Sequence, residues 1–199
     1  MCRKSTLTGL GFVDKLVIPD RNQYQRELSK KFKNKINRPP KDPPPLEQIR
    51  TMKMTQQVYD DIKREIGSKP AETGGILLSN SLDYSISAFV LDIASLRHRS
   101  IYQPNIEFLN SVLKGRNHEF VGIAHSHRNL PMLSSQDKRA GWSNLTAPDN
   151  PHLNAYLMPI VETIPDTGKF TIIPFIVTCH PKGMGRVIVR KVELEIIDR

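Results

Sequence analysis

Residues 120–142 read as strand, loop and helix in direct succession, and the polar residues at the two joints narrow what the chain can become. Phe120-Val121-Gly122-Ile123-Ala124 is an apolar run of strand length that leads straight into His125-Ser126-His127. On an extended strand, residues i and i+2 share a face, so His125 and His127 present two imidazoles to the same side. Arg128-Asn129-Leu130-Pro131-Met132-Leu133 is irregular and holds a proline, which marks a loop. Ser134-Ser135-Gln136-Asp137 then opens a helix that continues through Lys138, Arg139, Ala140 and Trp142. This order swings Asp137 back toward the histidines. Two imidazoles and a carboxylate would supply three protein ligands and leave a fourth position for water, which is how a catalytic zinc site differs from a closed structural one.

Each part also has a plainer reading. A lone His-x-His is commonly a surface or core pair. Ser134-x-x-Asp137 is a helix-capping pattern, with the hydroxyl as cap and the acid in the first turn. Glu72 by itself is a polar residue before a Gly-Gly turn. Capping and ligation are compatible, because a capped helix start holds a ligating carboxylate still. The conjunction points to a metal.

Taken in order, Glu72-Thr73-Gly74-Gly75-Ile76-Leu77-Leu78, His125-Ser126-His127 and Ser134-x-x-Asp137 resemble the JAB/MPN metalloprotease family with its JAMM motif, the prokaryotic-type JAB proteins in particular. The resemblance spans about residues 51–199. It implies the cytidine-deaminase-like three-layer architecture of that family. It also implies that His125, His127 and Asp137 ligate Zn2+, that Glu72 is the general acid/base, and that Ser134 helps stabilise the oxyanion. The implied reaction is hydrolysis of the amide bond at the C-terminal tail of a ubiquitin-like protein, in deconjugation or precursor processing, with no covalent acyl-enzyme. The implied partners are the ubiquitin-like protein or its conjugates, with E1- or E2-like enzymes of the same system. The loop between His127 and Ser134 is one residue shorter than the family's usual spacing, and Arg128 stands where a proline commonly follows. Ser134 and Asp137 keep their mutual spacing, so a one-residue loop deletion accounts for the departure. Two other classes are a metal-free MPN-type scaffold and a nucleic-acid-associated JAB relative that uses a basic tail. The intact Glu, two His and Asp favour the enzyme.

Charge divides the chain. Residues 1–50 carry twelve Lys or Arg against five Asp or Glu, while the rest carry 17 against 15, so most of the formal +9 belongs to the first quarter. Lys30, Lys31, Lys33, Lys35, Arg38 and Lys41 form a cluster able to meet phosphates or an acidic surface. Without a nucleic-acid motif it reads as a solvated extension, and nucleic acid is not the expected partner. Pro39-Pro40 and Pro43-Pro44-Pro45 make a stiff extended linker, and Val13–Ile18 reads as a strand docking on the domain. The expected division is therefore a basic, Pro-rich extension over 1–50 and a metallopeptidase domain over 51–199.

Within that domain, Thr55 caps a helix through Ile66, with Val58, Ile62 and Ile66 on one stripe and Gly67 past its end. Asn105 caps a second through Lys114, with Ile106, Leu109 and Leu113 inward and Gly115 as its stop. Strands are expected at Ile76–Leu78 (entered by a Gly74-Gly75 turn), Tyr84–Ile93, Ala155–Val161, Phe170–Val177 and Val187–Ile197. Mixed strands and helices give an α+β class, or α/β with a mainly mixed sheet flanked by helices. The stretch from Ser143 to Pro151 lacks periodicity and reads as a long loop; in the resembled family, loops after the metal segment clamp the ubiquitin-like partner, here residues 143–153. Trp142 is a core anchor, and His98, His118, His152 and His180 are surface residues. No apolar run is long enough to span a membrane. Cys2 and Cys179 stand far apart outside any C-x-x-C pattern, which argues against a disulfide scaffold or a cysteine zinc site and fits a reducing cytoplasm.

Overall fold

The computed structural model describes residues 49–67, 69, 72–80, 84–93, 96–98, 101–128, 131–164, 169–180 and 186–198. The basic cluster, the proline linker and the Val13–Ile18 strand lie outside the described residues. No helix among the described residues is long and apolar enough to cross a membrane.

The elements in chain order are β1 (Thr51–Thr55), α1 (Gln56–Ile62), β2 (Gly74–Leu78), β3 (Ala88–Leu91), β4 (Leu96–His98), β5 (Ile101–Gln103), α2 (Ile106–Leu113), β6 (Phe120–Arg128), α3 (Ser135–Thr146), β7 (Tyr156–Leu157), β8 (Ile160–Ile164), β9 (Lys169–Ile173), β10 (Phe175–His180), β11 (Arg186–Lys191) and β12 (Glu193–Ile197). The fold is mixed α+β, as expected. An eight-stranded sheet runs β11-β10-β7-β6-β2-β3, and β8 pairs with both β6 and β9. β6 is antiparallel to β2 but parallel to β7 and β8.

Alternation along the central strands, shifted by one residue at Val121 where a β-bulge breaks the β2–β6 register between Leu77 and Leu78, sorts their side chains onto two faces. Leu77, Val121 and Ala124 turn to one face, where Val58, Ile62 and Ile66 cover them. Ile76, Leu78, Phe120 and Ile123 turn to the other, where α2 brings Leu109 and Leu113 and α3 brings Leu145. His125 and His127 continue the Ile123 side of β6, so the imidazoles emerge on the α2/α3 face. Gly122 lets β7 approach β6, since a Cβ there would overlap the Leu157 carbonyl.

Several boundaries differ from the sequence reading, for definite reasons. Ala155–Val161 divides into β7 and β8 at Met158-Pro159, and Phe170–Val177 divides into β9 and β10 at Pro174. A proline has no N–H for the ladder, and at each the chain changes partner. Val187–Ile197 divides at buried Val192, whose N–H leaves the ladder to bond the Pro174 carbonyl at 3.1 Å. β11 stays in the large sheet, while β12 pairs in parallel with β1. β1 itself has the period-2 burial that Met52 and Met54 supply, and sequence reading overlooked it, as it did the β4–β5 hairpin.

Thr55 does cap α1, accepting the Val58 N–H at 3.3 Å, but the helix ends in a π turn over Lys63–Gly67 that takes in Gly67. Asn105 caps α2 through the Phe108 N–H at 2.9 Å, and Gly115 follows it with φ +79°. Only Ala88–Leu91 of the expected Tyr84–Ile93 strand is strand. Gly74 and Gly75 belong to β2 instead of a turn. Ser143–Thr146 are the last turn of α3, so the expected loop is shorter. That loop is also pinned: Asn150 is fully buried, and His152 Nε2 lies 2.9 Å from the Phe120 carbonyl. His152 is thus half-buried and structural, whereas His118 is exposed as expected. Trp142 packs half-buried against the core, and Cys179 is a buried residue of β10.

Candidate metal centre

Two elements build the centre. β6 supplies His125 and His127, spaced by one residue and therefore on one face. α3 supplies Asp137, its third residue, and Ser134 caps that helix. The Ser134 hydroxyl accepts the Asp137 N–H at 3.1 Å, while the Ser134 N–H donates to Asp137 Oδ2 at 2.7 Å. This capping box satisfies two helix-end donors reciprocally. The capping reading of Ser134-x-x-Asp137 thus holds, and it is compatible with the ligand reading. Oδ2 accepts the cap's hydrogen bond on the His127 side, and Oδ1 faces His125 Nε2 at 3.2 Å.

The remaining distances close the group. His125 Nε2 lies 2.9 Å from His127 Nε2, and His127 Nε2 lies 3.5 Å from Asp137 Oδ2. Donor atoms around a tetrahedral ion with bonds of 2.0–2.1 Å stand about 3.3 Å apart. The observed separations lie near that value, with Asp137 meeting His125 through Oδ1 and His127 through Oδ2. The shortened loop before Ser134 therefore does not keep Asp137 from the histidines. His125, His127 and Asp137 form a group that can hold a metal ion, and two imidazoles with one carboxylate are a donor set for a borderline divalent metal.

Burial makes the arrangement costly without a charge partner. His125 and His127 are 3% and 5% exposed. Burial pushes the Asp137 carboxyl up, but the hydrogen bond and charge of His125, with the Ser134 contacts, outweigh it and bring the group down to about 2. The carboxylate is thus ionised at neutral pH, as a ligand must be. Burial likewise drives the Tyr156 hydroxyl well above the ordinary phenol range, and the charge of Asp137 adds to it. That hydroxyl and His125 Nδ1 are buried without a hydrogen-bond partner among the described residues.

The β2–β6 register sets where Glu72 lies along the histidine strand. Gly74 pairs with His125; Thr73 accepts the Ser126 N–H at 2.9 Å, and its own N–H donates to Ser126 Oγ at 3.0 Å. Continuing that antiparallel register brings Glu72 level with His127. Its carboxylate is not in the three-residue group. Oε2 instead accepts the Tyr102 N–H at 2.6 Å. The Tyr102 ring stacks on His125, centroids 5.7 Å apart and planes 22° from parallel.

Three residues around the centre escaped sequence reading. Ser126, the middle residue of His-x-His, ties down the segment carrying Glu72. Tyr102 and Asp92 come from the β4–β5 hairpin and the end of β3. No motif or periodicity marks them, because their relation to His125 exists only across the sheet.

No family model matches the chain, and no curated protein matches it. Among solved structures, it is similar to the solution structure of protein DSY2949 from Desulfitobacterium hafniense, at 16% identity over 74% of this chain and 94% of that one, with a TM-score of 0.48.

Proposed function

We propose that this chain is a zinc-dependent peptidase or isopeptidase of the JAB/MPN type, acting on the amide bond at the C-terminal tail of a ubiquitin-like protein. The observation that carries the reading is the convergence of His125 Nε2, His127 Nε2 and Asp137 within 2.9–3.5 Å, in the order and on the elements that the motif requires. A capping residue alone would not need two buried imidazoles against it.

When bound, the ion supplies Lewis acidity, making water nucleophilic at neutral pH and polarising the scissile carbonyl. The residues of the chain do the rest. Glu72 has one oxygen fixed on the Tyr102 N–H, which leaves Oε1 to take a proton from the attacking water and pass it to the leaving amine. The Ser134 hydroxyl accepts the Asp137 N–H and keeps its own proton to donate to the developing oxyanion. Asp137 stays ionised, the form in which a carboxylate ligates. No acyl-enzyme is needed, because water is the nucleophile.

The test is metal content by elemental mass spectrometry on wild type, Asp137→Ala and Glu72→Ala after zinc is supplied. About one zinc per chain is expected in wild type and Glu72→Ala, and little in Asp137→Ala. Glu72→Ala should then be inactive toward a ubiquitin-like protein extended at its C-terminus. A wild-type chain that takes up no zinc would overturn the reading.

A further inference from the structure

Tyr102 stands outside the motif, yet it touches both halves of the site. Its main-chain N–H donates to Glu72 Oε2 at 2.6 Å, and a carboxylate acceptor makes such a bond charge-assisted. Its ring lies against the imidazole of His125. Its hydroxyl donates to Asp92 Oδ2 at 3.0 Å, and the same oxygen takes the Asn105 N–H at 2.7 Å. Asp92 in turn donates its N–H to the Gly74 carbonyl at 2.9 Å, and Gly74 is the register partner of His125. The contacts form a closed circuit from β2 through Asp92 and Tyr102 back to His125, with Glu72 hung on it. Tyr102 is 8% exposed and Asp92 3%. Burial drives the Tyr102 hydroxyl well above the usual phenol range, with Asp92 adding to the effect, so it remains a donor.

We propose that Tyr102, anchored by Asp92, is the positioning residue that sets the Glu72 carboxylate against the metal-ligating His125. The inference rests on the reading of this site as a hydrolytic metal centre. A glutamate has three side-chain torsions to restrain, and a general base must sit within about 2.6–3.2 Å of the proton it takes. A donor on the main chain cannot swing away as a side-chain donor can. Its position depends on where the rest of the residue is held, here by a rigid ring wedged on His125 and a hydroxyl fixed on a buried carboxylate. Ordinary core packing would explain the ring, but not the joint hold on Glu72 and His125.

The experiment uses the full chain and two substitutions, Tyr102→Phe and Tyr102→Leu, with zinc affinity read by competition against a chromophoric chelator. Tyr102→Leu removes the plate on His125 and should weaken zinc binding about tenfold or more, in the range seen when groups supporting a ligand are lost. Tyr102→Phe keeps the ring and should restore affinity to within about threefold of wild type. It still loses the Asp92 anchor, so kcat on a C-terminally extended ubiquitin-like protein should fall about tenfold with KM unchanged. In the zinc-loaded chain, the Tyr102 amide proton should lie far downfield and move upfield in Glu72→Gln. A folded Tyr102→Leu that binds zinc as wild type does would overturn the proposal. Should Tyr102→Leu not fold, a Tyr102 amide resonance indifferent to Glu72→Gln would overturn it equally. Silent Tyr102 variants in a zinc-binding, active wild type refute this inference alone, whereas a wild type without zinc refutes the functional reading beneath it.

Discussion

Replacing Gly74 by alanine should damage the candidate metal centre more than the fold. A Cβ built at Gly74 would lie 2.8 Å from His125 Cβ and from Tyr102 Cε1 and Cζ. Carbon atoms settle at about 3.5–4.0 Å, so one side must retreat by roughly 0.7 Å. Neither side can do so cheaply. His125 belongs to a strand paired with Gly74 on one side and Ile160 on the other. Tyr102 is held at its N–H by Glu72 and at its hydroxyl by Asp92. Overpacking of this kind costs about 1–3 kcal/mol, and about 2 kcal/mol in a chain of this size lowers Tm by roughly 4–8 °C. A displacement of roughly 0.7 Å also exceeds the tolerance of about 0.2 Å on metal–ligand distances. Zinc affinity should therefore fall about tenfold or more, by analogy with lost outer-shell support. Gly75→Ala is the control. Its Cβ would meet the Phe89 ring at 2.7 Å and the Val90 carbonyl, on the face away from the histidines, so it should lose stability without losing zinc. Thermal unfolding in chelator and zinc competition at 25 °C measure the two effects separately. If the two variants lost equal stability and both bound zinc as wild type does, the reasoning about Gly74 would be wrong.

Two further outcomes follow from the capping box. Ser134→Ala should cost about 1 kcal/mol as a lost cap, measured by denaturant unfolding; if Ser134 also stabilises the oxyanion, kcat should drop about a hundredfold with zinc content retained. A kcat that falls only as far as the zinc content does would reduce Ser134 to a cap. Asp137 sets the second outcome: its carboxyl lies at about 2 against an ordinary 3.8, because the His125 and Ser134 contacts outweigh the burial that pushes it up. A depressed carboxyl contributes stability that is present above its unfolded value and lost as pH falls through its folded value. Roughly 2 kcal/mol of metal-free stability should therefore disappear between about pH 4 and pH 2, and Asp137→Asn should flatten that part of the urea-unfolding profile. An unchanged profile in Asp137→Asn would deny that Asp137 is held ionised.

How far the sequence reaches is clearest at the centre itself. His125 and His127 on one strand face, Ser134 as cap and Asp137 in the first turn are local facts, because strand and helix periods and cap chemistry depend on nearest neighbours. The same locality made Asn105, Thr55 and Gly115 legible as helix punctuation. Prolines 159 and 174 were visible too, but a missing N–H says only that a ladder is interrupted, not which strand takes over. Tertiary structure decided those exchanges: β7 with β10, β8 with β9, and β12 turned away to β1. It also decided that Gly74 and Gly75 serve close approach within a strand instead of a turn, since the atoms they make room for come from β5, β6 and β3. By itself the sequence determined which side chains stand where a metal would need them. Only the packed sheet decided how Glu72 is held, because Tyr102 meets it across 30 residues of chain and Asp92 meets Tyr102 across 10, and a local pattern carries no record of such distances.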